Sequence, residues 1–359
     1  MDVLKNILKK INIEIPFKKL CVYGIGNQFK EEYKVLKDRE LILFDGNPEK
    51  WGRKVNKLII HKPDDILNYF QQDTAVIIGC IYNQYEIAKS IVDKYDIPIN
   101  CIYMYTSLWY ESYVYQKALI EENWDRILNC YDKLADQESK EYYLKAINAR
   151  KYRCPLFLCP NPKCKNIGEY GDVLILKHGE IIVDCGAYTG DTVAMYMERL
   201  NGECNIFAIE PFIESYQQMI ERIKTNNWDQ QVHPFNYALG STKMNTELYY
   251  DKDDFTMTIN TFQKIGNKSQ KVLVDSLDHL LINEKVSYIK MDIEGKECLA
   301  LEGARKLIQT YHPKLMISAY HRIEDFWELP EKIWDIDKKY NIYVGHAPNV
   351  STELEFYCI

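Results

Sequence analysis

The sequence predicts an α/β protein built on two parallel sheets, and three observations carry that prediction. Short apolar runs alternate with segments of helical period, first over residues 16–106 and again from Glu180 onward. Such alternation implies parallel strands joined by right-handed crossovers. A β-branched run, Ile181-Ile182-Val183, enters a turn holding Asp184, Gly186, Ala187 and Gly190, and the helical run VAMYMERL leaves it. The last two apolar runs, 341–345 and 353–358, are joined by a tight loop from His346 to Ser351. Strands joined so closely pair as an antiparallel hairpin. A length of 359 residues favours two domains.

In chain order, residues 1–107 read as a small Rossmann-like α/β domain. The strand Leu20-Cys21-Val22-Tyr23 leads into Gly24-Ile25-Gly26-Asn27 and a helix from about Gln28 to Lys37. A second strand, Glu40 to Phe44, ends at Asp45; a third covers Ala75 to Ile78; a helix, YEIAKSIVDKY, and a strand near Cys101 to Met104 follow. Gly24-x-Gly26 with Asp45 some twenty residues on mimics a dinucleotide fingerprint, but Phe29 stands where the third glycine belongs. The reading therefore disfavours NAD binding here. Residues 108–170 form a helical connector: YQKALIEENWDRILNCYDKLA and SKEYYLKAINARKY carry apolar residues at helical spacing. Pro155, Pro160 and Pro162 break it. Cys154, Cys159 and Cys164, five apart, lack the close ligand pairs of a zinc knuckle and read as free thiols.

Residues 171–359 form the larger Rossmann-like domain, ending in the antiparallel hairpin. Strands are expected near 181–184, 206–209, 232–237, 286–292, 314–319, 341–345 and 353–358, and helices near 191–200, 213–225, 296–309 and 328–339. The polar stretch between Leu239 and Leu273 is too long for a plain connection and predicts a hairpin or lid.

Composition sets limits on partners. A hydrophobic content of 47% supplies packed cores. A net charge of −7 without a long basic tract argues against nucleic acid. No run of 18 apolar residues occurs, and the start, MDVLKNILKKINIEI, lacks a signal peptide's continuous apolar stretch. The expectation is a cytoplasmic protein without a membrane span, whose eleven cysteines are mostly reduced.

The glycine turn indicates the ligand. Its glycines are four apart, with an acid two residues before the first, rather than in a G-x-G-x-x-G pattern. The following strand, Ile206 to Ile209, ends at Glu210, placed for ribose hydroxyls. This resembles motif I of Rossmann-like S-adenosylmethionine (SAM) methyltransferases. VDCGAYTGDT, FAIEPF, NYALGS, VDSLDHLL and above all YIKMDIEGKECLALEGARKLI together resemble the FkbM family of such enzymes, as do PKLMISAYHRIEDFWELPEKI and the tail HAPNVSTELEFYCI. The resemblance runs from about 180 to 359. It implies SAM as cofactor and methylation of a hydroxyl on a sugar or other small-molecule acceptor. It also implies that Asp184, Gly186, Ala187, Tyr188, Gly190, Asp191 and Thr192 surround the methionine end, that Glu210 holds the ribose, and that Asn236 and Ala238 flank the adenine. Asp292 and Glu294 would face the reacting methyl.

An alcohol is a poor nucleophile, so a base within reach of its proton helps. The candidates at strand tips are His321 and Asp292, with Glu294 and His346 as substrate-binding groups. Asp292, Glu294 and a histidine have ligand chemistry for Mg²⁺, but nothing in their spacing requires a metal and none is assigned. Two alternatives stand beside O-methylation of a sugar or glycan precursor. One is methylation of nitrogen or a phosphate-type oxygen on a carbohydrate intermediate. The other is a nucleotide-sugar oxidoreductase or binding protein using Gly24, Gly26 and Asp45. The reading is compatible with a homodimer.

Overall fold

The computed structural model describes residues 17–26, 29, 33, 36–80, 83–104, 113–158, 161–164, 166–250, 260–261, 268–346 and 353–359. The amphipathic start, most of the expected helix after Asn27, Cys159, the tip of the 239–273 stretch and the loop after His346 lie outside them. The chain divides into two compact units, Met1–Asp125 with Glu141–Asn161 and His346–Glu353, and Arg126–Lys140 with Pro162–Gly345 and Leu354–Ile359.

In the first unit, strands β1 (Lys19–Tyr23), β2 (Glu40–Phe44), β3 (Lys54–Val55), β4 (Leu58–His61), β5 (Thr74–Ile78) and β6 (Ile102–Met104) form one sheet in the order β3-β4-β2-β1-β5-β6. All pairs are parallel except β3–β4. β1 is buried on both faces: Leu20 and Val22 pack into one core with Phe29, and Cys21 into another with Phe44 and Ile78. Two covered faces are the reason its sequence is continuously apolar rather than alternating. The helix Gln84–Tyr95 lays Ala88 and Ile91 on the second of these cores. The stretch read as a connector holds helices Tyr113–Glu122, Trp124–Lys133 and Gln137–Tyr152.

In the second unit, strands β7 (Glu180–Cys185), β8 (Cys204–Ile209), β9 (Val232–Phe235), β10 (Ala238–Leu239), β11 (Met244–Tyr250), β12 (Asn260–Thr261), β13 (Lys268–Asp275), β14 (Tyr288–Met291), β15 (Lys314–Ser318), β16 (Ile342–His346) and β17 (Leu354–Cys358) follow one another. Seven of them form a sheet in the order β16-β17-β15-β14-β7-β8-β9. It is parallel from β15 to β9, whereas β17 runs antiparallel to β15. Asn341 and Ile359 exchange backbone hydrogen bonds of 2.8 and 3.1 Å, which closes the expected antiparallel hairpin. The 239–273 stretch is a hairpin in its described arms: β11 and β13 pair antiparallel from Met244↔Val274 to Tyr250↔Lys268.

Three expected elements differ. The helix expected over 296–309 is two, Glu297–Glu302 and Arg305–Tyr311. They part at Gly303, where a Cβ would stand 2.1 Å from the Gly240 carbonyl oxygen. The helix expected at 328–339 runs Asp325–Ile336, with buried Pro330 inside it; burial holds a turn that proline alone disfavours. β9 stops at Phe235 because the Asn236 amide turns back to the carbonyls of Glu210 (2.9 Å) and Pro211 (3.1 Å). No described helix is long and apolar enough to cross a membrane. The ten described cysteines are free.

Candidate active site

The carboxyl ends of β7, β8, β14 and β15 build the site. β7 is central, so Asp184 on it is fully buried. Such a charge requires a partner. Lys290, its register neighbour on β14, supplies one: Nζ lies 3.1 Å from Asp184 Oδ1 and donates to the Gly186 carbonyl at 3.0 Å. Thr192 Oγ1 donates to the other oxygen. Burial pushes the Asp184 carboxyl up, opposed by Lys290; burial alone would lower Lys290, but Asp184 and Asp292 outweigh it and hold it above the ordinary lysine range. Asp184 thus fastens the turn from beneath, with its oxygens directed to Lys290 and Thr192. Lys290 escaped the sequence reading; its signal was a lone cation inside the apolar run YIKM.

The turn runs through left-handed backbone at Gly186 (φ 81°), Tyr188 (φ 47°) and Gly190 (φ 77°). Gly186 has a second reason to lack a side chain: its Cβ would stand 1.9 Å from the Asp292 carbonyl oxygen, where β14 ends. Ala187 is fully buried and Tyr188 is exposed. Asp191 opens the helix Asp191–Arg199, which has no side-chain cap. An uncapped helix start leaves N–H groups and a positive dipole end for an anion.

Glu210, at the end of β8, is buried. Its two oxygens accept from Tyr188 N (2.9 Å) and Phe212 N (2.8 Å). Each oxygen keeps a second lone pair for a hydroxyl donor. Burial raises its carboxyl to about 7, against the pull of those backbone donors. Asn236 spends its amide on the chain after β8, and Ala238 sits in a small core with Phe212, Leu248, Val272 and Val274.

Beyond Gly186, a second group of side chains converges. Asp292 accepts from Tyr320 Oη at 3.1 Å. His321, after β15, places Nε2 3.3 Å from Asp292 Oδ1 and 3.7 Å from Glu294 Oε2. Its Nδ1 lies 3.2 Å from Oε1 of Glu297. Glu297 is held by Ile293 N (2.9 Å) and Gly295 N (3.4 Å), across a turn with left-handed Glu294 and Gly295. Burial alone would lower the His321 pKa, but Glu297, Glu294 and Asp292 outweigh it and lift it to about 10. The Glu294 side chain keeps 40% of its surface open, yet its carboxyl is packed among protein atoms. That desolvation, with like charges on Asp292 and Glu297, raises it to about 7. Buried Asp325 is also raised to about 7, by burial and then by Glu297. Sequence reasoning missed Glu297; its role depends on the 293–296 turn, which no periodicity announces.

The structure thus brings together the glycine turn, Glu210, Asp292, Glu294 and His321. His346, at the end of β16, belongs to the first unit, buried edge-on to Tyr142. Also in the first unit, the Asp45 carboxylate is occupied by its own chain: Ile25 N (2.8 Å), Asn47 N (2.9 Å) and Lys50 Nζ (2.8 Å).

Comparison with known proteins bears on the fold and on the family of the second unit's sequence. The family model for the methyltransferase FkbM domain matches residues 184–342. The crystal structure of methyltransferase FkbM from Methylobacillus flagellatus KT is similar over 100% of this chain and 96% of that one, at 21% identity and a TM-score of 0.70. At that identity the likeness concerns the fold. The crystal structure of Aeropyrum pernix fibrillarin with natively bound SAM is 12% identical over 53% of this chain and 70% of its own, with a TM-score of 0.34. A search of curated proteins finds no match. Residues 184–342 form a methyltransferase FkbM domain, so this part of the chain is a SAM-dependent methyltransferase domain.

Proposed function

We propose that this methyltransferase methylates a hydroxyl of a sugar or glycan precursor at the strand edge where Asp292, Glu294 and His321 converge. One observation carries the reading. The glycine turn and this cluster touch, with Gly186 packed against the Asp292 backbone, so a donor held by one faces an acceptor held by the other. Ligands of open α/β sheets bind at such a carboxyl edge.

The residues fit SAM. Glu210 offers lone pairs to ribose hydroxyls, the uncapped helix start at Asp191 suits the methionine carboxylate, and the turn from Gly186 to Gly190 admits close backbone approach. When bound, SAM supplies a sulfonium methyl. The chain's own part is to hold the acceptor oxygen in line and to receive its proton. His321, at about 10, is protonated at neutral pH and acts through its charge. The proton-accepting role falls to the carboxylates of Asp292 and Glu294, whose side chains are partly exposed. These carboxylates also suit hydrogen bonding from sugar hydroxyls. The first unit, with Asp45 occupied, is assigned to docking the acceptor or a second subunit rather than NAD. A cytoplasmic site of action belongs to the same proposal.

Two measurements test it. Incubation with SAM and a panel of nucleotide sugars should give one product heavier by one methylene; no product across hydroxylated acceptors, with transfer to an amine instead, overturns the O-methyl assignment. SAM affinity should rise from pH 6 to pH 8 as Glu210 ionises through about 7, and Glu210→Gln should remove that dependence. The substitution should cost about 1–3 kcal/mol at pH 8, the range for losing a charged acceptor. Equal binding by both proteins at pH 8 would exclude Glu210 as the ribose partner.

A further inference from the structure

We propose that Asp292, Glu297 and His321 form a binding site for one divalent cation of the Mn²⁺ class. The three residues each offer a ligand atom, and these atoms lie within 4.8 Å of one another. Asp292 Oδ1 and His321 Nε2, 3.3 Å apart, have the separation of neighbouring ligands on one ion, since bonds of about 2.1 Å at roughly 90–110° give about 3.0–3.5 Å.

A second, independent observation points to a ligand there. Glu297 is almost wholly buried, and its Oε2 has no hydrogen-bond partner. His321 is more than nine-tenths buried, and neither ring nitrogen has the alignment of a hydrogen bond, although carboxylate oxygens lie 3.2 and 3.3 Å away. Buried polar atoms left in this way cost free energy unless something satisfies them. A cation held by Glu297 Oε2 and one imidazole nitrogen, with the His321 proton released on binding, satisfies both side chains and leaves the other ring nitrogen as an N–H donor to a carboxylate. The cluster also carries surplus negative charge: Asp292, Glu294 and Glu297 surround a single imidazole.

The donor set selects the ion. One imidazole nitrogen with two carboxylates is too nitrogenous for Ca²⁺ and lacks the thiolates that mark a structural zinc site. Mn²⁺ accepts both ligand types. Its remaining positions face the open side, where Asp292 is 33% and Glu294 40% exposed, so water or an acceptor oxygen can complete the shell. Nothing in the sequence spacing of Asp292 and Glu294 requires a metal, and only the 293–296 turn brings Glu297 alongside. The site shares its strand edge with the proposed acceptor but rests on none of the substrate assignments.

The test uses the full chain, stripped with EDTA, without SAM or acceptor. Calorimetric titration with MnCl₂ should show one saturable site, tighter than for MgCl₂. Electron spin-echo spectra of the Mn²⁺ form should carry modulation from an imidazole nitrogen, lost in His321→Gln. Glu297→Gln should weaken Mn²⁺ at least about tenfold, whereas Glu302→Gln, at the exposed Arg305 and Lys332 pairs, should not. Absence of saturable Mn²⁺ binding up to millimolar concentration overturns the proposal. So does bound Mn²⁺ without nitrogen modulation, or equal affinity in the Glu297 and Glu302 variants. Should Glu297→Gln fail to fold by circular dichroism, the nitrogen signal in the parent against His321→Gln decides. Because no methyl transfer is read, loss of the site and loss of the O-methyl assignment are separate results.

Discussion

Replacing Lys290 with Met should destabilise the second unit more than most single changes in it. Lys290 is 5% exposed and Asp184 fully buried, at 3.1 Å. Methionine fills similar space but leaves the Asp184 carboxylate with Thr192 alone. Removing one partner of a buried pair costs about 3–5 kcal/mol, because the other charge stays in place unpaired. For a unit of this size each kcal/mol corresponds to about 2–4 °C, so Tm should fall by about 6–20 °C. The sign of the pH effect follows from the raised carboxyl. The folded state then binds a proton that the unfolded state has released, so stability falls as pH rises above the unfolded value of about 3.9. Lys290→Met should therefore be closest to the parent near pH 5 and furthest from it near pH 8. Urea unfolding at both pH values, for Lys290→Met, Asp184→Asn and the double variant, gives a complete cycle. The neutral pair should recover at least about 2 kcal/mol of the summed single losses. Additive losses, or a Lys290→Met cost under about 1 kcal/mol, would refute the view that this pair holds the turn.

Two further outcomes follow from the geometry. Gly186→Ala places a methyl 1.9 Å from the Asp292 carbonyl at φ 81°, so SAM binding measured by calorimetry should weaken at least about tenfold; an unchanged Kd would show that the turn is free to relax. His346 is lowered to about 4 by burial and then by Lys145, so it folds neutral. Its stability contribution is present above the unfolded value of about 6.5 and is lost as pH falls towards 4, by up to about 3 kcal/mol. His346→Gln should flatten that acid limb in urea midpoints, and an identical limb in both proteins would assign it to other groups.

Much of the second unit was legible because its strands are buried on both faces and therefore spelled as apolar runs. Ile206 to Ile209 ending at Glu210 shows this directly, and the glycine turn is likewise a local signal, set by backbone conformation at Gly186 and Gly190. What stayed hidden depends on register or distant contacts. The Lys290–Asp184 pair exists because β14 and β7 align those two residues. Glu297 reaches His321 only through a turn with left-handed residues at 294 and 295. The break at Gly303 is imposed by the Gly240 carbonyl, remote in sequence. The helix expected from about residue 328 already starts at Asp325, and tertiary burial holds Pro330 inside it.

The position of β17 bears on how the protein matures. Of the seven strands it comes latest in the chain, yet it lies inside the sheet, between β15 and β16. During synthesis β16 leaves the ribosome with no neighbour to join, and β15 presents an open, apolar edge until residues 354–358 arrive. Vectorial folding must therefore pause one strand short of closure. Unpaired strand edges of this kind recruit other chains. The nascent sheet is thus most exposed to misassociation until residues 354–358 emerge, and a chain cut short near residue 353 would lose two strands from the sheet rather than one.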